Sequence, residues 1–553
     1  MLSPSALQEN RHVLALGAGL AIMASVFLLY PILRSGSIPN FFDAKFHLQL
    51  ADGLVKGLRD GYLYPRWLAD ANLNFGSTAL ISYSPLSAYA VALMTLIMGN
   101  VVRATMAVLG ISTLLSGFTF YSCARSLARP LPSALAAALY TVVPYRAIDV
   151  HTRFAFAEIG TFVWLPLILK LLIDLHRKPT RSAWISLVLA YAGLILTHIL
   201  SAFMVAVALA PYVVWIAVRE RNRFFPALLL LAAISAAALA AVYLIPVVYE
   251  RDWTHTEFLA QSWWGDWRRN FLFFDEESAG FRADTMGPYV EKSIILMTAP
   301  ALGAFLILAR RRDHDTIGLG LLCLVTVFLQ LRLSRFVWQW LPGMEYIQFP
   351  WRFQLVLALG CCLLIARALS TRSWTARVLV GISAVLWIAF LGPAGRETSY
   401  TLDNEMFVDA EISRGIVKEH IPRGVVGWER LRNAARRMGG LTQTEPPAEV
   451  EIEEWSSHRR RLRINADQRT ELQIRTFYYP GWAASVDGRE TAIKPVAPLH
   501  TIGLEVGPGV HDVEVRFGST PDRRAGAVCS LAAAIMLLVV GFAPGRRRNE
   551  TAG

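Results

Sequence analysis

The chain has 553 residues, 54% of them hydrophobic and only 17% charged, with mean hydropathy +0.40. Soluble domains carry about 25% charged residues, so a soluble globular class is excluded, and recurring apolar runs of ~18 residues or more mark a multi-span membrane protein. The formal net charge of +12 does not point to nucleic acid, because the basic residues sit in short clusters between apolar runs, the pattern of cytoplasmic membrane loops.

The first apolar run, 12–33, lacks a small-residue cleavage site and reads as a retained first helix. Next comes Asn40 to Trp67, NFFDAKFHLQLADGLVKGLRDGYLYPRW, too polar to span. On a helix, Phe42, Phe46, Leu50, Leu54 and Leu58 form one apolar stripe, with Asp52, Lys56 and Arg59 opposite. Asp43 and His47 fall at the stripe's edge, one turn apart and able to touch. They read either as a helix cap with a packed histidine or as a catalytic pair at the membrane surface.

Further spans are expected over 101–123, 131–147, 155–173, 182–199, 201–218, 224–248, 290–309, 317–331, 353–370, 375–393 and 525–544, about twelve helices in all. With a cytoplasmic N-terminus, the clusters Arg125/Arg129, His176–Arg181, Arg219–Arg223, Arg310–Arg312, Arg367–Arg377 and Arg546–Arg548 then share the inner side. This parity requires that 80–98 not cross, so it reads as a helix in the outer leaflet. The chain therefore divides into a membrane domain, 1–395, with a long first external loop over 34–100; an extracytoplasmic domain, 396–524; and a last span with a basic tail, 525–553. Alternation at Val450/Ile452, Leu462/Ile464, Leu472/Ile474 and Val513/Val515/Phe517, with turns at Asp487-Gly488 and Gly507-Pro508-Gly509, predicts a β-sandwich within 396–524.

The five cysteines (Cys123, Cys323, Cys361, Cys362 and Cys529) lie in or beside apolar segments without CxxC spacing, so neither a zinc site nor a disulfide framework is indicated. There is no phosphate-binding glycine loop, GxSxG elbow or HExxH pair. The remaining chemistry lies at outer helix ends. Glu158 opens an apolar helix, where a carboxylate is also stabilised by the helix dipole. His198 sits in LILTHILSAF, a packing or site histidine. Arg66, Arg146, Arg153 and Arg352 share that side and suit phosphate, or alternatively lipid headgroups. Trp67, Trp351 and Trp253, Trp263, Trp264 and Trp267 read first as an interface belt. A carboxylate base acting on an acceptor hydroxyl, with cations at a leaving phosphate, fits this inventory.

The segments Asp43-Ala-Lys-Phe-His47, Tyr64-Pro65-Arg66-Trp67, Tyr83-Ser84-Pro85-Leu86 and Gln348-Phe349-Pro350-Trp351-Arg352-Phe353 resemble the bacterial membrane proteins called 6-pyruvoyl-tetrahydropterin synthase-related. The layout also looks like glycosyltransferases of the GT-C fold. That resemblance implies a polytopic α-helical inner-membrane protein with both termini cytoplasmic and an extracytoplasmic β-rich domain. It would transfer a sugar from a polyprenyl-phosphate donor to an envelope glycan, lipid or protein. By that pattern Asp43 would be the essential acidic residue and Glu158 a second acidic candidate; together with the residue inventory this puts Asp43, His47 and Glu158 in catalysis, and Arg66, Arg146, Arg153, His198, Gln348, Trp351 and Arg352 in substrate binding. GT-C enzymes often carry two adjacent acidic residues in the first loop. Here Ala44 follows Asp43, which counts against a divalent metal pair and leaves His47 as the substitute ligand. The alternative from another class is a carrier of lipid-linked material or an envelope assembly factor.

Overall fold

The computed structural model describes residues 4–40, 43–222, 224–255, 265–273, 286–309, 313–396, 400–408, 420–425 and 431–542. Phe42, Trp263, Trp264, Arg223, Arg310–Arg312 and Arg546–Arg548 lie outside the described residues.

The membrane domain begins with α1 (Pro4–Ser35) and α2 (Ala44–Arg59). A break at Tyr83-Ser84-Pro85 precedes α3 (Leu86–Met98), which Gly99 closes in the left-handed conformation. Then come α4 (Val101–Arg125), α5 (Pro130–Thr141), α6 (Phe156–Arg177), α7 (Arg181–Thr197), α8 (Ile199–Arg219), α9 (Phe224–Leu239) and α10 (Ala241–Glu250). The bundle is completed by α11 (Gly287–Ala309), α12 (His314–Phe328), α13 (Gln354–Leu369), α14 (Trp374–Arg396) and, after the β domain, α15 (Pro521–Phe542).

The protein is thus a polytopic helical membrane protein with a C-terminal β-rich domain. The count of about twelve spans needs correction: among the described residues eight helices are long and apolar enough to cross, or up to ten if two bent pairs each count as one span. One pair turns by 78° between α9 and α10, the other by 89° between α12 and Arg332–Trp340. The expected span 131–147 is the 12-residue α5 followed by a break, about 18 Å of helix against ~30 Å of hydrocarbon. The span expected over 182–199 is the 17-residue α7. Residues 80–98 also break, leaving the 13-residue α3.

The basic loops gather at one end of the bundle, as charge parity requires. Arg177 donates to the Ser126 carbonyl at 2.9 Å and meets Asp315 at 3.3 Å. Arg367 donates to the Leu127 carbonyl at 3.1 Å, the Arg129 N–H to Ser370 at 3.0 Å, and His176 meets Glu220 at 3.1 Å.

At the other end lie nine strands, β1 (Thr442–Glu445), β2 (Glu449–Trp455), β3 (Arg459–Ala466), β4 (Thr470–Phe477), β5 (Trp482–Val486), β6 (Arg489–Thr491), β7 (Lys494–Val496), β8 (Thr501–Val506) and β9 (Gly509–Phe517), among the described residues. They form two antiparallel sheets, in order β1-β4-β8-β7 and β2-β3-β9-β5-β6. Leu462 and Ile464 of β3, Leu472 and Ile474 of β4 and Val513 and Val515 of β9 are buried in one core and alternate with half-buried or exposed residues, so the C-terminal domain is β-rich. This core is shared with the first loop: Trp67, Phe75 and Ile81 are buried in it. The Phe477 N–H donates to the Phe75 carbonyl at 2.8 Å, the Ser457 N–H to Asp60 at 2.8 Å and the Arg66 N–H to His458 Nε2 at 3.0 Å. Loop and sandwich therefore share one side of the membrane.

Helix α2 is buried on more than the one expected stripe. Ala44, Leu48 and Ala51 enter the bundle core, while Leu50, Leu54 and Val55 pack with Leu68, Leu80 and Ala88. Lys45, Lys56 and Arg59 remain exposed. Two glycines allow this enclosure. A Cβ at Gly53 would lie 1.8 Å from Leu68, and one at Gly57 would lie 2.4 Å from Pro65.

Candidate functional site

The segment between α5 and α6 is where the bundle turns polar. Pro144–Ala147 is a single helical turn, and Ile148–Arg153 continues it as a π-helix, a feature often found at functional sites. Phe154 then takes φ 51° and reverses the chain into α6. These turns put Tyr145, Asp149, Arg153 and Glu158 side by side. The Arg153 Nη1 reaches Asp149 at 2.6 Å and Glu158 at 3.1 Å. The Tyr145 hydroxyl donates to Glu158 at 2.6 Å, and Arg352 Nε stands 3.5 Å from the same carboxylate. Asp149 and Glu158 are both fully buried, so each charge depends on its guanidinium partner.

Asp43 is tied to this group by backbone, its N–H donating to the Arg153 carbonyl at 3.3 Å. It stands at the N-cap position of α2, its carbonyl accepting the His47 N–H at 3.1 Å, while its side chain makes no cap hydrogen bond. The residue is half-buried, and among the described residues its carboxylate has neither a hydrogen bond nor an ion pair. Burial raises its pKa above the usual carboxylate value, and this outweighs the opposing pull of the Arg153 and Arg352 guanidiniums; the Glu158 charge adds to the rise. His47 is buried between Tyr83 and Phe156, with ring centroids 5.7 and 5.8 Å away. Burial, with His198 and Arg153 nearby, pushes its pKa down to about 3, so the ring is neutral. His198 caps α8, accepting the Ser201 N–H at 3.3 Å. It also lies close enough to feel Glu158 and Arg352, so it has a structural role and a place at the site.

Arg352 comes from the QFPWRF segment. Its Nη1 donates to the Ile347 carbonyl at 2.9 Å and approaches Gln348 Oε1 at 3.5 Å. Gln348 itself has φ 64°, outside the ordinary range for a side-chain-bearing residue, and such strain clusters at functional sites. Trp351 is buried, with its ring under Arg153 at 4.9 Å. It therefore packs a guanidinium rather than lying in an interface belt.

The structure thus brings together Asp43, His47, Arg153, Glu158, His198, Gln348, Trp351 and Arg352. Two expected residues stand elsewhere. Arg146 turns into the bundle, where Nη1 donates to Ser116 at 2.5 Å and the guanidinium covers Phe162 at 4.7 Å. Arg66 lies over Tyr64 at 4.2 Å and donates to the Val242 carbonyl at 2.9 Å.

The family described as bacterial membrane protein YfhO matches residues 69–409, more than half of the chain. The chain belongs to this family. The description differs from the pterin-synthase-related one that the loop motifs suggested. The matched range of this YfhO-family chain includes Arg153, Glu158, His198 and Arg352; Asp43 and His47 precede it. No curated protein matches the sequence.

Among solved structures, arabinofuranosyltransferase AftD from mycobacteria is similar at 14% identity and TM-score 0.47, over 70% of this chain and 27% of that one. ArnT from Cupriavidus metallidurans bound to undecaprenyl phosphate gives 16% and 0.40, over 67% and 63%. The Archaeoglobus fulgidus oligosaccharyltransferase gives 14% and 0.38, over 72% and 55%. The YfhO-family chain spans little more than a quarter of AftD.

Sequence reasoning missed Tyr145, Asp149 and Tyr83 as site residues. Asp149 and Arg153 do carry a signal, opposite charges four residues apart, but that spacing ordinarily marks a solvated helix face. A metal centre does not fit the site. Among the described residues, no three His, Cys, Asp or Glu side chains are placed to hold an ion. Asp149 and Glu158 are occupied by arginine, which leaves Asp43 and His47.

Proposed function

We propose that the protein is an integral membrane glycosyltransferase of the GT-C type. It takes a sugar from a polyprenyl-phosphate donor and passes it to an envelope glycan, lipid or protein. The reaction takes place on the outer side of the bacterial cytoplasmic membrane, with the β domain outside and both termini inside.

Asp43 acts as general base. Its carboxylate accepts the proton of the acceptor hydroxyl as that oxygen attacks the anomeric carbon. The bond from that carbon to the phosphate oxygen breaks, and the electron pair leaves with the phosphate. Arg352, backed by Arg153, faces the charge that develops there. Neutral His47 holds the neighbouring wall without competing for the proton. The observation that carries this reading is the contrast among three carboxylates: Asp149 and Glu158 are ion-paired, while Asp43 is partly exposed beside them with no partner among the described residues.

The test uses Asp43→Asn and Asp43→Ala in cells lacking the native protein, with envelope glycolipids and glycans compared. Both variants should accumulate as folded protein yet lose the glycan product. Full wild-type product from both would end the enzymatic reading. Build-up of lipid-linked substrate on the cytoplasmic leaflet would instead indicate a carrier.

A further inference from the structure

The chain turns flat where α12 ends. Helix α12 runs antiparallel beside α13. Thr316 accepts from Arg367 at 3.3 Å among the basic loops, and at the far end the Leu329 carbonyl accepts from Trp338, whose ring lies 6.1 Å from Phe353. The turn Arg332–Ser334 and the helix Arg335–Trp340 then leave α12 at 89°. They run along the outer end of the bundle, level with the segment that carries Arg352.

This stretch has three faces. One is buried: Ser334 and Trp338 are enclosed, and Trp338 stacks on Trp267 at 5.6 Å. The second is apolar and open, with Leu333, Phe336 and Trp340 at helical spacing and 73%, 57% and 83% exposed. The third is polar and open, carrying Arg332, Arg335 and Gln339. Phe336 packs on Phe328 of α12 with centroids 6.1 Å apart, and Leu324, one turn further down α12, is exposed. The open apolar face is therefore continuous with the lipid-facing side of a membrane helix. Aromatic and aliphatic residues on one side and arginines on the next are the pattern of a helix lying in the membrane interface. Cations on the outer side run against the positive-inside rule, so these two arginines need a ligand of their own. At headgroup depth that ligand is phosphate, which the guanidinium fork matches. A headgroup with net negative charge complements the pair better than a zwitterionic one.

We propose that Arg332–Trp340 is an interfacial element that binds an acidic phospholipid of the outer leaflet. The acyl chains lie against Leu333, Phe336 and Trp340, and the phosphate meets Arg332 and Arg335. The buried face carries the effect inward. Trp338 touches Phe353, the neighbour of Arg352, so a lipid that holds this element in place also steadies Gln348–Phe353. The proposal stands whether or not Asp43 is a base.

The test uses the full-length protein in phosphatidylcholine nanodiscs doped with phosphatidylglycerol that carries a diazirine on one acyl chain, adducts being mapped by mass spectrometry. Adducts are expected within 332–341, with those on the lipid face of α14 as the reference. Phosphatidylcholine with the same diazirine, at the same dose, should label 332–341 about tenfold less relative to α14. Arg332→Gln and Arg335→Gln change exposed side chains and should leave the protein folded, and each should lower phosphatidylglycerol adducts there about fivefold. Backbone hydrogen exchange within 344–353 should slow about threefold or more when phosphatidylglycerol is present, and the slowing should vanish in the double variant. Equal labelling of 332–341 by the two lipids, or labelling unchanged in both arginine variants, overturns the lipid site. Exchange over 344–353 that is the same in both kinds of nanodisc overturns its link to Arg352. Both readouts are taken without the transfer reaction, so the fate of glycan product in Asp43→Asn bears on neither.

Discussion

The three carboxylates that meet around Arg153 have the same chemistry and different surroundings. Asp149 and Glu158 are buried charges, stable only because a guanidinium faces them. Glu158→Gln should therefore act on stability, lowering it by about 3–5 kcal/mol in detergent melts, because Arg153 and Arg352 lose their shared partner. Asp43→Asn should leave the melting temperature nearly unchanged and remove activity. Equal destabilisation by the two would reduce Asp43 to a structural residue. Titration makes the same distinction. Burial raises the Asp43 pKa while Arg352 lowers it, so the acid limb of activity should lie above the ordinary carboxylate range. Removing the cation in Arg352→Gln should move that limb to still higher pH. A pH–rate profile in which the limb stays put or falls would exclude Asp43 as the titrating base. At this scale much was legible from sequence: an acid and an imidazole one turn apart on a polar loop helix, and the arginines. Which arginines take part was not. Arg146 and Arg153 lie in one short stretch, and only the π-helical turn decides that one points to Ser116 and the other to Glu158.

The elements show a different division. The strands of the sandwich announce themselves by alternation, because a sheet with one buried face repeats every two residues. The spans were over-counted because hydropathy registers apolar length and not breaks. Nothing apolar is lost where the chain bends at Ala240 or after Phe328. The clamp between the first loop and the sandwich was also invisible, since it depends on residues distant in sequence. It rests on Trp67, fully buried with its ring 5.5 Å from Trp482 and 5.3 Å from Phe517. Gly76 sits against that indole with φ +87°, and a Cβ there would lie 2.3 Å from Trp67 Nε1. Gly76→Ala should thus cost about 2 kcal/mol or more from conformation and overpacking together. The expected readout is faster proteolysis within 60–82 and release of the sandwich, with the helical bundle intact. An unchanged cleavage pattern would show that the clamp does not depend on Trp67.

Across the whole molecule, a bundle with basic loops at one end carries at its other end a sandwich seated on the loop that holds Asp43. The seat contains neutral histidines, which makes it sensitive to acid. His458 accepts the Arg66 N–H through Nε2, and burial, with Arg460 nearby, pushes its pKa down to about 4. His420 packs flat on Phe46, ring centroids 5.5 Å apart, with Nδ1 2.6 Å from the Ser82 hydroxyl; burial likewise brings it down to about 4. Both values lie below the ~6.5 of a free histidine, so the folded state binds these protons less readily than the unfolded chain. Their stabilising contribution is complete above pH ~6.5 and is lost progressively as the pH falls toward 4. At His458 the incoming proton also displaces a hydrogen bond between loop and sandwich, so the seat should loosen before the bundle. Melting curves from pH 7.5 to 4.5 should show the sandwich transition falling with acid and the bundle transition changing less. In His458→Gln, whose amide oxygen can still accept from Arg66 but cannot take up a proton, the fall should be shallower. An equally steep fall in His458→Gln combined with His420→Gln would place the acid sensitivity outside this seat.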